Sequence, residues 1–290
     1  MKAYLDIVKK VLETGEKVPT RQGPLAYTVA GITFEHEMAN GFPLLTTKKV
    51  PLRLVATELE FFIKGLTDKK WLQDRNNHIW DEWANPKKAP YGLDEISKKK
   101  MLEERDLGPT YGFQWRHFNA PYINYDSDYS GKGVDQLKKI IEILKKNPRD
   151  RRMIVNAWNP AQLEEMSLPP CFYSFQLVVI NNKLNLLWNE RSVDLMLGLP
   201  FDITSHGLLL HLIAKEAGLR EGKLIGFLGD VHLFENHVEG AKEQLTRDCK
   251  KYALPKIETG QWTSIFDWKA EDTKLLNYQS YDRIPFKIAI

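Results

Sequence analysis

Two adjacent prolines, Pro169 and Pro170, constrain the fold of this 290-residue chain more than any other sequence feature. Each proline fixes its own φ and disfavours a helix in the residue before it. Apolar residues then alternate, for example at Phe175 and Leu177, with the period of a strand. We therefore expect Cys171 to lie at the start of a rigid strand. A thiol in that position can act as a nucleophile once its pKa is lowered, whereas an isolated cysteine is more often a buried structural residue.

The composition is that of a folded protein. Hydrophobic residues make up 43% of the chain and charged residues 27%, with eight tryptophans, a balance that favours a packed core over disorder. The net charge of +3 is too small to indicate a nucleic-acid or membrane-surface partner. No apolar run approaches the roughly 18 residues of a membrane span, and the N-terminus lacks the apolar stretch of a signal peptide. We therefore expect a cytoplasmic protein that binds neither nucleic acid nor membrane.

The cysteines give no indication of a cross-linked or metal-bound protein. Cys171 and Cys249 show no CxxC motif and no cysteine–histidine spacing of metal ligands. The pattern predicts neither a disulfide framework nor a bound metal.

Segments with the hydrophobic periodicity of helices and segments with that of strands follow one another along the chain without a regular order. Helices are predicted over residues 4–12, 51–64, 134–146 and 203–217, the last after a turn at 198–202. Besides the strand after Cys171, strands are predicted over residues 28–34, 153–158, 184–188 and 227–234. Because no βαβ rhythm is present, we expect one α+β domain over residues 1–290, with a mixed sheet packed against helices. The polar or irregular residues 85–105 and 119–133 are expected to be variable surface insertions.

Two acids interrupt the apolar helix predicted over residues 51–64. Glu58 and Glu60 are two positions apart, so they cannot face the same direction. We expect one of them to look into a cavity, because glutamate is otherwise avoided among buried residues.

Several other polar residues have two open interpretations. Arg151 and Arg152 precede a predicted strand and form either a solvated edge or an anion clamp. Arg21 precedes a glycine turn, where an arginine is usually solvated. His232 lies alone on a predicted strand, where a histidine usually belongs to the core. Asp202 immediately precedes a predicted helix, where aspartate is a good N-cap.

Several short motifs occur together in the order known from one family. They are Gly41 to Lys48 (GFPLLTTK), Ile79 to Trp83 (IWDEW), Asp150 to Arg152 (DRR), Pro169 to Cys171 (PPC), Arg191-Ser192, Leu197 to Phe201 (LGLPF), Gly229-Asp230 and His232. From about Arg21 to Ile290 the chain resembles the thymidylate synthases and the related deoxycytidylate hydroxymethylases. A chance match of so many colinear motifs is remote, so we interpret Cys171 as a functional residue.

The resemblance implies folate-dependent transfer of one carbon to C5 of a pyrimidine nucleoside monophosphate. Cys171 would attack C6, which makes C5 nucleophilic and divides one difficult step into two easier ones. Arg191 would lower the pKa of the thiol. Glu58 would organise proton transfers through water, and Tyr111 would help to remove the C5 proton.

The resemblance also implies how the nucleotide is held. A phosphate dianion is best bound by guanidinium groups. Arg21 and Arg191 would come from one subunit, and Arg151 and Arg152 from the partner in a sheet-to-sheet homodimer with shared active sites. The hydroxyl of Ser192 would add a donor to the substrate site, and His232 would contact the sugar.

The implied carbon donor is 5,10-methylenetetrahydrofolate, with no metal. It would stack against Trp80. Asp194 would hold the pterin, and Leu197, Gly198 and Phe201 would lie nearby. The C-terminal residues Ile288, Ala289 and Ile290 would fold over the site as a lid that excludes water.

One departure from the synthases concerns the base. The synthases carry Asn where this chain has Asp202, and an amide matches the N3–H donor and O4 acceptor of uracil. Cytosine has the opposite pattern, which a carboxyl group fits when one oxygen accepts from the amine and a shared proton bridges the other oxygen to N3. Glu60 is also typical of the hydroxymethylases. We therefore predict a cytidylate 5-hydroxymethylase acting on dCMP, with CMP left open because Phe234 replaces a Tyr that bonds the sugar.

Two alternatives remain. One is a methyl-forming enzyme, either a thymidylate synthase acting on dUMP or a cytidylate C5-methylase. The synthase-like C-terminus and Trp80 favour it, because shielding favours hydride over water as the second reactant. The other is a non-catalytic nucleotide- or RNA-binding relative, against which Cys171, Glu58 and the arginines argue together.

Overall fold

The computed structural model describes residues 1–21 and 23–288. The helices are α1 (Lys2–Thr14), α2 (Leu52–Ile63), α3 (Lys69–Gln73), α4 (Glu95–Glu103), α5 (Gly112–His117), α6 (Gln136–Lys146), α7 (Gly198–Glu216) and α8 (Val238–Thr246). The strands are β1 (Glu16–Val18), β2 (Ala26–Glu37), β3 (Ile154–Asn156), β4 (Phe172–Ile180), β5 (Lys183–Asp194), β6 (Arg220–Phe234), β7 (Lys256–Thr259) and β8 (Thr273–Leu276). Short 3₁₀ turns lie at Met38–Asn40, Leu163–Glu165, Glu235–His237, Ile265–Asp267 and Ala270–Asp272.

A mixed sheet organises the described part of the chain. Its strand order is β1-β2-β6-β5-β4-β3, and β5 and β6 are parallel while the other neighbours are antiparallel. β7 and β8 form a separate antiparallel pair. The predicted α+β class, with a mixed sheet packed against helices, is confirmed.

The core lies between one face of this sheet and the helices. α7 packs on β5 and β6 and also against α2. The fully buried rings of Phe34 and Trp188 lie 5.7 Å apart in this layer, and burial of a large apolar side chain contributes about 1.5–3 kcal/mol. This packing fixes the carboxyl end of β5, where Glu190, Ser192 and Asp194 line a cavity.

The opposite face of the sheet carries exposed apolar side chains. Ile154 is 49% exposed and Phe227 is 45% exposed, and they alternate with the buried residues Val155 and Leu228. Within the described residues, this face is therefore not covered by the chain's own helices.

The predicted start of the helix at residue 203 is wrong. α7 begins at Gly198 and includes the segment predicted as a turn. Pro200 is compatible with this because the first turn of a helix needs no N–H from it. Asp202 consequently lies inside the helix, and its N-cap interpretation is also wrong.

Two strands are longer than predicted. β5 continues to Asp194 and β6 begins at Arg220, because the two strands pair in parallel from Lys183 to Asp194. Pairing between distant segments supports residues whose local pattern is too irregular to indicate a strand.

The two polar segments differ in structure. Residues 85–105 contain α4, and Ala84, Ala89 and Met101 form a small core beneath it. Residues 119–133 form no helix, but Ala120 and Tyr129 pack with Phe113 in a second small cluster. Among the described residues, none of the helices combines the length and the apolar character that crossing a membrane requires.

Candidate active site

A cavity of about 320 Å³ opens where β4 and β5 meet α2 and α7. Its lining is Glu58, Phe62, Ile79, Trp80, Trp83, Tyr111, Leu168, Cys171, Phe172, Glu190, Ser192, Asp194, Leu197, Gly198, Phe201, Asp202 and Ile288. A larger cavity of about 800 Å³ borders α2 and the 3₁₀ turn at Ala270–Asp272, but Cys171 does not line it. The smaller cavity is the candidate site because it combines a nucleophile with acids and aromatic walls.

Main-chain contacts hold Cys171 in place. Its N–H donates to Tyr111 Oη at 2.8 Å, and its carbonyl accepts from the Arg191 N–H at 2.8 Å. The Arg191 guanidinium donates to the carbonyls of Pro169 at 2.7 Å and Pro170 at 2.9 Å. The carbonyl groups of the two prolines thus bind the side chain of Arg191, whose main-chain N–H binds the carbonyl of Cys171.

The electrostatic environment of the thiol is mixed. Burial, aided by Glu190 and Asp202 and opposed by Arg191, raises the pKa of Cys171 to about 12. Arg191 therefore acts in the predicted direction, but the net shift of the pKa is upward rather than downward. Desolvation of the buried thiol therefore outweighs the attraction of one guanidinium.

Glu58 and Glu60 face different sides of α2. Trp80 Nε1 donates to Glu58 Oε1 at 2.7 Å beside Cys171. Burial raises the pKa of Glu58 to about 7, against the lowering effect of Trp80. Glu60 instead accepts from Lys64 Nζ at 2.7 Å and from the Ala270 N–H at 2.9 Å. A carboxyl with a pKa near neutrality is suited to general acid–base catalysis.

Tyr111 has an unusual backbone. Its φ is +34°, a conformation that non-glycine residues keep only where their surroundings enforce it. The ring lies 5.0 Å from Phe62 and 4.5 Å from Phe172. Burial raises the pKa of Tyr111 well above its usual value, so the phenol stays protonated at neutral pH.

The predicted folate-binding residues lie together on one wall of the cavity. Trp80, Leu197, Gly198 and Phe201 line it. Asp194 Oδ1 accepts the N–H groups of Met196 at 3.0 Å and of Leu197 at 3.1 Å, which fixes the turn into α7. Aromatic and aliphatic walls next to one carboxylate suit a flat heterocycle with polar edges. Ile288 also lines the cavity, while the predicted contact Ala289 lies outside the described residues.

Several predicted nucleotide-binding residues lie elsewhere. Arg21 is exposed, with its guanidinium 5.1 Å from the centre of the Tyr91 ring. Arg151 and Arg152 are exposed just before β3. The structure of one chain therefore does not bring these three arginines to the cavity.

The neighbouring strands carry the remaining predicted contacts. Ser192 lines the cavity directly. His232 pairs with Asp194 across β5 and β6, and its ring lies 5.1 Å from Phe234.

Asp202 has an acidic neighbour that the sequence analysis missed. Glu190 is 2% exposed and accepts from Trp188 Nε1 at 3.1 Å, and its carboxyl group is within hydrogen-bonding reach of Asp202. Burial and the mutual repulsion of the two acids raise the pKa of Asp202 well above its usual value, and burial raises that of Glu190 to about 7. No sequence spacing indicates this contact, because the two acids lie on a strand and a helix.

Lys69 is a second residue that the sequence analysis missed. It is 1% exposed, and its Nζ donates to the carbonyls of Asp81 at 3.1 Å, Trp83 at 2.9 Å and Met101 at 2.6 Å. Burial lowers its pKa to about 8. The lysine ties the segment that carries Trp80 to the end of α4, and so positions one wall of the cavity.

The cavity combines a buried cysteine, an acid of near-neutral pKa and a rigid tyrosine, an arrangement that suits covalent catalysis. No group of three or more metal-ligating side chains occurs among the residues described. Residues 2–290 match the family model described as thymidylate synthase. The chain belongs to the thymidylate synthase family, as its motifs predicted.

A curated relative has a longer chain. The bifunctional dihydrofolate reductase-thymidylate synthase of Paramecium tetraurelia is 43% identical over 287 residues, which are 99% of this chain and 61% of that protein. The family uses methylenetetrahydrofolate, the predicted cosubstrate. The family match and the name of this relative support the methyl-forming alternative better than the hydroxymethylase that we predicted first.

Proposed function

We propose that this chain transfers a one-carbon unit to C5 of a pyrimidine nucleoside monophosphate and forms a methyl group, with residues 1–290 acting as one catalytic domain. The observation that carries the proposal is the convergence of Cys171, Glu58 and Tyr111 on one cavity with apolar walls. 5,10-Methylenetetrahydrofolate, when bound against Trp80 and Asp194, supplies the carbon and the hydride.

Cys171 is the nucleophile in this proposal. Its Sγ adds to C6 of the base, so that C5 becomes enamine-like and can form a bond to carbon. The main-chain hydrogen bonds that Cys171 makes to Tyr111 and Arg191 fix the backbone that carries the thiol. Such preorganisation lowers the entropic part of the barrier. Arg191 is the neighbour that favours the thiolate, against the effect of burial.

Glu58 and Tyr111 handle protons. With a pKa of about 7, Glu58 can both release and accept a proton at neutral pH. Tyr111 keeps its own proton, because its pKa is well above the usual value, so it orients a water molecule that removes the C5 proton.

The enclosure of the site supports a methyl rather than a hydroxymethyl product. Hydroxymethylation needs water to reach the new carbon. Trp80, Trp83, Phe201 and Ile288 line the cavity, and apolar side chains offer no hydrogen bonds that would hold water there. Exclusion of water protects a reactive intermediate until hydride arrives.

Asp202 supports cytosine as the base. Its side chain lines the cavity together with Cys171, and a protonated carboxyl can donate to N3 while it accepts from the 4-amine. The raised pKa of Asp202 keeps that proton available at neutral pH. Cytidylate is therefore the proposed substrate, and dUMP is the competitor to test against it.

A second copy of the chain would complete the phosphate site. The uncovered face of the sheet exposes Ile154 and Phe227, which suits sheet-to-sheet pairing. Arg151 and Arg152 lie beside β3 at this sheet. In such a dimer, we expect them to reach the phosphate of a nucleotide bound in the Cys171 cavity of the first copy. Mixing Arg151→Ala with Cys171→Ser subunits should restore activity in a shared site, and no recovery despite proven subunit exchange would contradict it.

Product analysis tests the proposal. The purified chain is incubated with methylenetetrahydrofolate and with dCMP, CMP or dUMP, and both products are identified by mass spectrometry. We expect a C5-methylated cytidylate together with dihydrofolate. A hydroxymethylated product with tetrahydrofolate would contradict methyl transfer, and turnover of dUMP alone would contradict the cytidylate assignment.

A further inference from the structure

Two carboxyl groups meet at the inner wall of the cavity, one from β5 and one from α7. Glu190 is almost fully withdrawn from solvent, whereas Asp202 is half-buried and opens onto the cavity. The two groups are within hydrogen-bonding reach. Both residues line the cavity, but Asp202 is the more exposed of the two and is therefore the member that offers its carboxyl group most openly to a ligand.

A rigid aromatic frame holds both acids. Trp188 Nε1 donates to Glu190 Oε2 at 3.1 Å. The indole of Trp188 stacks on the imidazole of His206, with ring centres 5.0 Å apart and an angle of 13°. His206 Nδ1 lies 2.8 Å from the main-chain carbonyl of Asp202, and burial lowers its pKa to about 4. The histidine is therefore neutral and donates through Nδ1, so it brings no compensating charge.

Arg191 lies near enough to Glu190 to lower its pKa, against the larger effect of burial. The guanidinium of Arg191 donates to the carbonyls of Pro169 and Pro170 rather than to either acid. Two adjacent buried carboxylates that no cation bridges cannot both be ionised at low energetic cost. The pair consequently retains at least one proton at neutral pH.

We propose that Glu190 and Asp202 act as one proton-sharing unit that binds the base, in which Glu190 is a specificity-determining residue that acts through Asp202. Glu190 keeps a proton on Asp202, and Asp202 uses it to donate to a ring or exocyclic acceptor of the pyrimidine. The proton moves only between the two carboxyl groups and the hydrogen bond to the base, so no other reactant is needed. This inference rests on the proposed function, because it assumes a nucleotide in the Cys171 cavity.

The pH dependence of nucleotide binding tests the unit. Asp202 must be protonated to donate, so affinity falls as pH rises through the pKa of Asp202. Glu190→Gln removes the charge that favours this proton, so the fall should occur at lower pH. The other titratable or charged groups that face the pair are Glu58, Tyr111, Cys171, Arg191, Asp194 and His206. These groups are the same in Glu190→Gln and in wild type, so their own contribution to the pH dependence of binding cancels when the two proteins are compared.

The measurement is the Kd of whichever of dCMP and dUMP the wild type binds, taken by calorimetry from pH 6 to 9. Titration of the nucleotide phosphate is common to all variants. At pH 8 we expect Glu190→Gln to bind about tenfold more weakly than wild type, the size of one pKa unit, and to recover at pH 6. Glu60→Gln is the matched control, because Glu60 is 5% exposed but lies outside this cavity. Its profile should match that of the wild type.

Two results would overturn the inference: equal pH profiles for Glu190→Gln and wild type, or a loss of affinity in Glu190→Gln that is the same at every pH. Infrared spectroscopy of the wild type covers the case in which the variant does not fold. A protonated-carboxyl C=O band at pH 8 that Asp202→Asn removes is expected, and its absence in wild type would also refute the unit. Because binding is measured without turnover, a failure of the proposed reaction remains distinguishable from a failure of the unit.

Discussion

The two sides of helix α2 carry glutamates in opposite circumstances. Glu60 has a cation, Lys64, and a main-chain donor, Ala270 N–H. Glu58 has neither, only the indole N–H of Trp80, and its pKa rises to about 7. The difference shows how one residue type becomes structural or chemical on the same helix. A compensated carboxylate anchors its neighbours, whereas an uncompensated one binds its proton tightly enough to keep and exchange it near neutral pH.

Replacing the uncompensated acid should give the largest effect. Glu58→Gln keeps the shape and the bond from Trp80 but cannot exchange a proton. We expect kcat to fall by about 10²–10⁴-fold, with nucleotide binding retained and the melting temperature not reduced. Steady-state kinetics and calorimetry provide the measurement. A variant that turns over at nearly the wild-type rate would remove Glu58 from the chemistry.

A buried lysine extends the comparison to the segment that carries Trp80. Lys69→Met would leave the carbonyls of Asp81, Trp83 and Met101 without their donor, which should cost about 2–5 kcal/mol of unfolding free energy and raise the KM for folate. Denaturant unfolding and kinetics measure the two effects.

The neighbouring Lys70 provides the control. Its side chain is 49% exposed and pairs only with Asp74, so Lys70→Met should change stability by less than about 0.5 kcal/mol. Equal losses in the two variants would contradict a special role for Lys69.

The pH dependence of stability separates the two glutamates further. The pKa of Glu58 is raised in the folded state, so between its ordinary value near 4.5 and about 7 the unfolded chain releases a proton that the folded chain keeps. Wild type should therefore lose about 1–3 kcal/mol of stability relative to Glu58→Gln as pH rises through that window. The free energy of unfolding of both proteins is measured at pH 4.5 and at pH 7.5. The same difference between wild type and Glu58→Gln at both pH values would show that burial does not raise the pKa of Glu58.

The smallest effect is expected for Glu60, on the side of α2 away from the Cys171 cavity. Glu60→Gln can still accept from the Ala270 N–H but loses the charge opposite Lys64, whose side chain is 27% exposed. We expect a loss of about 1 kcal/mol of stability with kcat unchanged. A large fall in kcat would show that the two sides of α2 are not separate in function.

The sequence predicted residues whose type and order carry the chemistry, and it missed contacts that depend on packing. Cys171, Glu58 and Trp80 were found because their residue types and order carry the chemistry, and they converge on one cavity. The start of α7 was misplaced because Pro200 is equally suited to a turn and to a first helical turn.

The missed contacts depend on packing between distant segments. Glu190 meets Asp202 only because β5 packs against α7. Lys69 is of the same residue type as the exposed Lys70 that follows it, so the sequence does not distinguish the two. The fall of the thiol pKa that Arg191 would cause was also expected, but burial acts on Cys171 more strongly than one arginine.

The most direct test of the account is whether Cys171 forms a covalent bond to the nucleotide. Wild-type protein, Cys171→Ser and Cys249→Ser are each incubated with methylenetetrahydrofolate and dCMP or dUMP, quenched in acid, and analysed by intact-protein and peptide mass spectrometry. We expect a nucleotide adduct on the peptide of Cys171 in wild type and in Cys249→Ser, and none in Cys171→Ser. Turnover without any adduct, or turnover by Cys171→Ser at the wild-type rate, would contradict it.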